Sequence, residues 1–87
     1  MPRADYENPP DALRFLGRAL RALREDRGLK QIELAAAANA TESQVSDIER
    51  ARNNPGWLLI TRLLDGLGAT IADLADAYGR AERGGLE

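Results

Sequence analysis

The chain has 87 residues and contains neither cysteine nor histidine. Thiol nucleophiles, histidine general bases, structural zinc sites and disulfides are excluded together. Long hydrophobic runs are also missing. The longest run of large apolar residues, Trp57 to Ile60, falls far short of the roughly 20 residues a membrane span needs. The N-terminus lacks the basic-then-apolar order of a signal peptide, so the expectation is a cytoplasmic protein with no membrane contact.

An excess of positive charge is absent too. Twelve basic and 14 acidic side chains leave a net charge of -2, with a pI near 5.1. Residues 1–10 carry -1, 11–27 carry +2, 28–55 carry -1 and 56–87 carry -2. No segment is strongly basic, so any contact with nucleic-acid phosphates requires cations clustered where the phosphates lie. Internal repeats and β patterning are lacking as well. At 44% hydrophobic, the chain suits one domain with one modest core. No ligand-sensing or protease-like second domain is expected.

Residues 1–10 hold three prolines, Pro2, Pro9 and Pro10, and read as a flexible arm before the domain at 11–78. Asn8 or Asp11 can cap the first helix. Leu13, Leu16, Leu20 and Leu23 recur at helical spacing and fall within an arc of about 80°, which predicts a helix to about Arg27. Arg14, Arg18 and Arg21 project opposite the leucines, as a solvated face. Gly28 can take the left-handed conformation that ends a helix.

A short alanine-rich helix is predicted for about Gln31 to Ala38, with Leu34, Ala35 and Ala38 inward. Asn39 follows, one of the few non-glycine residues that enters left-handed backbone readily. Thr41 with Gln44 three residues later spells a capping box and starts a third helix. Projection sets Thr41, Val45 and Ile48 on its inner side, and Ser43, Ser46, Asp47 and Arg50 on its outer side. Residues 52–56 (RNNPG) form a loop. A fourth helix, about Trp57 to Leu67, is expected to bury Trp57, Ile60, Leu63, Leu64 and Leu67, with Gly68 at its end. Thr70 and Asp73 cap a fifth, about Ile71 to Tyr78, with Ile71 and Leu74 inward. Residues 79–87 are polar and glycine-rich and are expected to fray. The short helices joined by a tight turn between Gln31 and Arg50 read as a helix-turn-helix, a motif whose second helix can lie in the DNA major groove.

Three segments in register carry a wider resemblance: LRALREDRGLKQIELA (Leu20 to Ala35), SQVSDIERARNNP (Ser43 to Pro55) and LLDGLGATIADL (Leu63 to Leu74). Over about Leu13 to Ala77 the chain resembles the Cro/C1-type (XRE-like) helix-turn-helix repressor domains of phages and bacteria. The resemblance implies an all-α, five-helix, lambda-repressor-like bundle in which helices 2 and 3 form the helix-turn-helix. It also implies roles for individual residues. Gln31 matches a glutamine that bonds a DNA phosphate; the alternative is an exposed glutamine at a helix start. Glu42, Ser43, Gln44 and Asp47 match positions that read base edges, against the alternative of a solvated polar face. Ser46 and Arg50 flank that surface, and Arg52, Asn53 and Asn54 match a phosphate-contacting loop. Arg24 and Glu49 match a structural ion pair.

Three positions depart from the family pattern. Lys30 stands where a small hydroxyl residue often caps helix 2, and a lysine side chain cannot accept amide hydrogen bonds. Glu42 and Asp47 put carboxylates on or beside the surface that would face DNA. A carboxylate accepts from cytosine N4 but is repelled by phosphates, so these residues favour selectivity over affinity.

The leading expectation is a sequence-specific regulator of transcription, a repressor, that binds double-stranded DNA as a homodimer on a two-fold operator. Leu58, Leu59 and Tyr78 exceed what one buried face of the last two helices needs and support a dimer, the alternative being extra core or scattered surface apolar residues. A second reading is an antitoxin or another helix-turn-helix module that binds a protein, and a restriction-modification controller is a variant of the first. An enzyme is not expected, because the carboxylates are spread along solvent faces rather than gathered in a pocket. No cofactor or metal is expected.

Overall fold

A computed structural model describes residues 9–86. Among them are five helices: α1 (Asp11–Asp26), α2 (Gln31–Ala37), α3 (Glu42–Glu49), α4 (Trp57–Leu67) and α5 (Ile71–Glu82). The order matches the sequence periodicity. The arm predicted before α1, as far as Asn8, lies outside the described residues.

Helix α1 packs against α5 and α3, while α2 packs against α3 and α4. Leu20, Leu34, Ile48 and Leu63, one from each of the first four helices, are the largest fully buried side chains and belong to one cluster. Each contributes about 1.5–3 kcal/mol by leaving water. Alanines matter as much for shape. Ala19 and Ala77 are 0% exposed and Ala81 is 1% exposed, and small side chains there let helices approach closely.

Side-chain caps start two helices. Thr41 Oγ1 accepts from the Gln44 N–H at 3.1 Å, and Gln44 Oε1 accepts from the Thr41 N–H at 2.9 Å. Thr70 and Asp73 repeat the arrangement at α5, at 3.1 and 2.9 Å. Hydrogen bonding to the carboxyl, first from the Thr70 backbone N–H and then from the Thr70 side chain, holds Asp73 below its ordinary pKa. Helices α1, α2 and α4 start at Pro10, Lys30 and Gly56 with no side-chain cap. Lys30 keeps only half of a box: its N–H donates to Glu33 Oε1 at 2.8 Å.

Helix ends follow a single rule. Each gives way to a residue of positive φ, namely Gly28, Asn39, Ala51, Gly68 and Gly84. Asn39, at 54°, takes the conformation its side chain predicts. Ala51, at 58°, does not, since a Cβ makes this region cost about 1 kcal/mol or more.

Several sequence expectations are corrected. Trp57 and Ile71 are 61% and 48% exposed rather than buried. They keep the helical register of the buried residues but stand on the first turns of α4 and α5, where no described element covers them. Thr41 is exposed, because its hydroxyl is committed to the cap rather than to the core. Asp11 is the first residue of α1 rather than its cap. Arg18 is half-buried, not fully solvated. Helix α5 continues past Tyr78 to Glu82, and residues 79–82 are helical because Ala77 and Ala81, four apart, both face inward. Of the three surplus apolar residues, Leu59 and Tyr78 pack on the core. Tyr78 also meets Phe15 edge-on, with ring centroids 5.8 Å apart. Only Leu58 stays outside, 75% exposed.

Candidate functional site

The position of α3 is set from its inner side. Val45 and Ile48 are each 2% exposed, and α1 crosses the last turn of α3 at Gly17. A Cβ at Gly17 would lie 2.6 Å from the Ile48 carbonyl oxygen and 2.7 Å from that of Glu49. Glycine is required there for room, since real Cβ atoms do not come that close to carbonyl oxygens.

About two turns further along α1, an ion pair locks the same junction. Arg24 Nε donates to Glu49 Oε2 at 2.7 Å and Nη2 donates to Oε1 at 3.0 Å. Arg24 Nη1 also donates to the Leu29 carbonyl at 2.7 Å. Gln31 Nε2 donates to Glu49 Oε1 at 3.0 Å. The Arg24 and Glu49 side chains are 11% and 4% exposed. The hydrogen bonds it donates to Glu49 push the guanidinium above its ordinary pKa, against the opposing effect of burial. The end of α1, the start of α2 and the end of α3 are thereby joined through one carboxylate.

The outer side of α3 has no such duties. Glu42, Ser43 and Arg50 are exposed, and Gln44, Ser46 and Asp47 are half-buried. After α3 the chain turns at Ala51, where the Arg52 N–H bonds back to the Asp47 carbonyl at 2.8 Å and the Ala51 N–H to the Ile48 carbonyl at 3.1 Å. These are the paired bonds of a Schellman end. They swing Arg52, Asn53 and Asn54 into an exposed run before α4. The result is a run of hydroxyl, amide, carboxylate and guanidinium groups with two acids, Glu42 and Asp47, and two bases, Arg50 and Arg52. Among the described residues no group of acidic side chains is disposed to hold a metal ion, and no helix is long and apolar enough to cross a membrane.

Most of the residues singled out from the sequence thus share one surface. Two have partners within the fold. Gln44 spends its carbonyl oxygen on the Thr41 cap, leaving its amide as the free end, and Gln31 spends one N–H on Glu49. Sequence reasoning missed Gly17 and Ala51. A glycine inside a leucine-periodic helix is a readable signal of close backbone approach. Nothing in an alanine signals a left-handed backbone.

Comparison with known proteins follows the same span. A sequence model of the helix-turn-helix domain matches residues 16–77. The HTH-type transcriptional regulator DdrOP3 of Deinococcus deserti is 37% identical over 70 residues, covering 77% of this chain and 54% of the relative. The immunity repressor protein of Bacillus phage phi105 is 35% identical over 57 residues, covering 66% of this chain and 40% of the relative. The chain therefore spans about half the length, or less, of these curated relatives. Among solved structures, that of the clp gene regulator ClgR from C. glutamicum superposes with a TM-score of 0.77 at 32% identity, covering 83% of this chain and 94% of the other.

Proposed function

Since this chain belongs to the helix-turn-helix domain family, in its Cro/C1-type branch, we propose that it binds double-stranded DNA sequence-selectively and regulates transcription, acting as a repressor. The observation that carries this reading is the division of α3. Its inner side is locked by Gly17 and by the Arg24, Glu49 and Gln31 network, while on its outer side Glu42, Ser43, Ser46, Asp47 and Arg50 form no side-chain hydrogen bond among the described residues and only the Gln44 oxygen is spent, on the Thr41 cap. A rigid helix with a free polar face is what major-groove reading requires.

In this reading Glu42, Ser43, Gln44 and Asp47 face base edges. The carboxylates select cytosine through its N4 donor, and the uncommitted amide of Gln44 donates to guanine or thymine acceptors. Gln31, Ser46, Arg50, Arg52, Asn53 and Asn54 contact phosphates or flanking positions. Two copies on a two-fold operator set their α3 helices about one helical turn apart, roughly 34 Å. Such a regulator acts in the cytoplasm, where bacterial DNA lies, and needs no cofactor. The balance of acids and bases on this surface supports a second reading, a helix-turn-helix module that binds a protein partner, as an antitoxin does.

Selection of bound sequences from random duplex DNA tests both. The expected product is a two-fold site with cytosine facing the carboxylates, bound with an affinity that falls steeply as salt is added. Arg52→Ala should weaken all sequences alike and reduce the logarithmic salt slope by about 1. A flat salt response with no preferred sequence overturns DNA reading in favour of a protein partner.

A further inference from the structure

The solvent side of α4 carries a projection and a recess on one strip. At 100° per residue, Leu58, Thr61, Arg62 and Asp65 fall within an arc of about 100°, and Leu58 to Asp65 covers about 10 Å of helix axis. At the N-terminal end Leu58 stands 75% exposed, with Trp57 beside it at 61%. Toward the other end lies a depression of about 210 Å³ lined by Thr61, Leu64, Asp65, Ala69, Thr70 and Ile71. A dry cavity of about 150 Å³ accepts benzene, so this recess has the volume for a leucine side chain and the edge of an indole.

We infer that this strip is the contact surface for a second copy of the same chain, with the two α4 helices antiparallel across a two-fold axis near residues 63 and 64. Two separate features call for the same axis. An antiparallel copy seats Leu58 and Trp57 of each protomer over the recess of the other, as the reciprocity of an isologous interface requires. The same axis sets Arg62 of each protomer opposite Asp65 of the other. Both of these side chains are exposed, and neither forms an ion pair among the described residues. Parallel packing would instead oppose Leu58 to Leu58 and Arg62 to Arg62, leaving both recesses empty and like charges facing. An aromatic and a leucine anchored in a pocket, with charges at the rim, match the anatomy of stable interfaces.

This inference rests on the homodimer reading above, and the experiment separates the two. Sedimentation of the whole chain gives the mass, and emission from Trp57, the one tryptophan, reports its burial. The wild type is expected to dimerise with a blue shift as concentration rises. Leu58→Glu should raise the dissociation constant by about 30-fold or more, the scale of an interface hot spot. Arg62→Asp and Asp65→Arg should each dimerise poorly alone, yet an equimolar mixture should form a heterodimer, because both cross-pairs are then attractive. All three positions are exposed, so melting temperatures equal to that of the wild type at a concentration where the wild type is monomeric show that folding is intact. A dimer indifferent to Leu58→Glu, or a mixture that stays unpaired, overturns this surface while leaving the homodimer. A wild-type monomer, with and without selected DNA, overturns the surface and the homodimer together. DNA reading survives that outcome if single half-sites are still bound.

Discussion

The two sides of α3 obey different constraints. On the inner side, Val45 and Ile48 are almost fully buried, both Glu49 carboxylate oxygens are hydrogen-bonded, and the backbone approaches α1 so closely that only glycine fits at position 17. On the outer side, Glu42, Ser43 and Arg50 face water. The fold therefore depends on one side and leaves the other free to vary, which is how one scaffold can read different DNA sequences. The contrast also shows why a polar residue's neighbours matter more than its type: Glu49 and Asp47 are both acidic, two residues apart, and only Glu49 is locked.

The largest expected effect comes from breaking the inner side. Arg24→Ala leaves a carboxylate that is 4% exposed with only the Gln31 amide for a partner, and Glu49→Ala strands the guanidinium. Each should cost about 3–5 kcal/mol in denaturant unfolding, a large share of the stability of a domain this small. The double variant Arg24→Met with Glu49→Leu should regain most of that loss. If it does not, the pair contributes stability itself rather than only fixing the junction.

Next is Gly17→Ala, expected to cost about 1–3 kcal/mol by overpacking α1 against the end of α3. Because the added methyl meets backbone carbonyls, it should also tilt the outer side of α3 and reduce DNA affinity; a variant with unchanged melting and binding would contradict the close approach. Smaller still is Thr41→Ala, about 1 kcal/mol from losing the hydroxyl that caps the Gln44 N–H, while the backbone N–H at position 41 still donates to the Gln44 side chain. The smallest stability effect belongs to the outer side: Ser43→Ala and Asp47→Asn should stay within about 0.5 kcal/mol of wild type in thermal melts. They should instead change which bases are preferred in the selected DNA. A loss above about 1 kcal/mol would mean that this side serves the fold after all.

Helix order, the capping boxes at Thr41 and Thr70, the turn at Asn39 and the leucine faces were all readable in the linear chain. They depend on contacts within a few residues, where backbone geometry alone sets the spacing. The Arg24–Glu49 pair became readable through resemblance to a family, since 25 residues separate its members and no local period links them. The burial of Trp57 and Ile71 and the end of α5 were misread for a common reason. Periodicity gives the direction a side chain points, but not how far the neighbouring helix reaches to cover it.

Local chemistry thus decided where helices begin and end, and which stripe of each turns inward. Tertiary packing alone decided that Gly17 must be small, that Ala51 takes a left-handed backbone and that Gln31 and Gln44 have partners inside the protein. It also decided that Trp57, Leu58 and Ile71 are left uncovered by the rest of the chain. Each of these depends on what a distant segment places beside the residue, and that distance is set by the close packing of the whole core, in which displacing one helix displaces its neighbours.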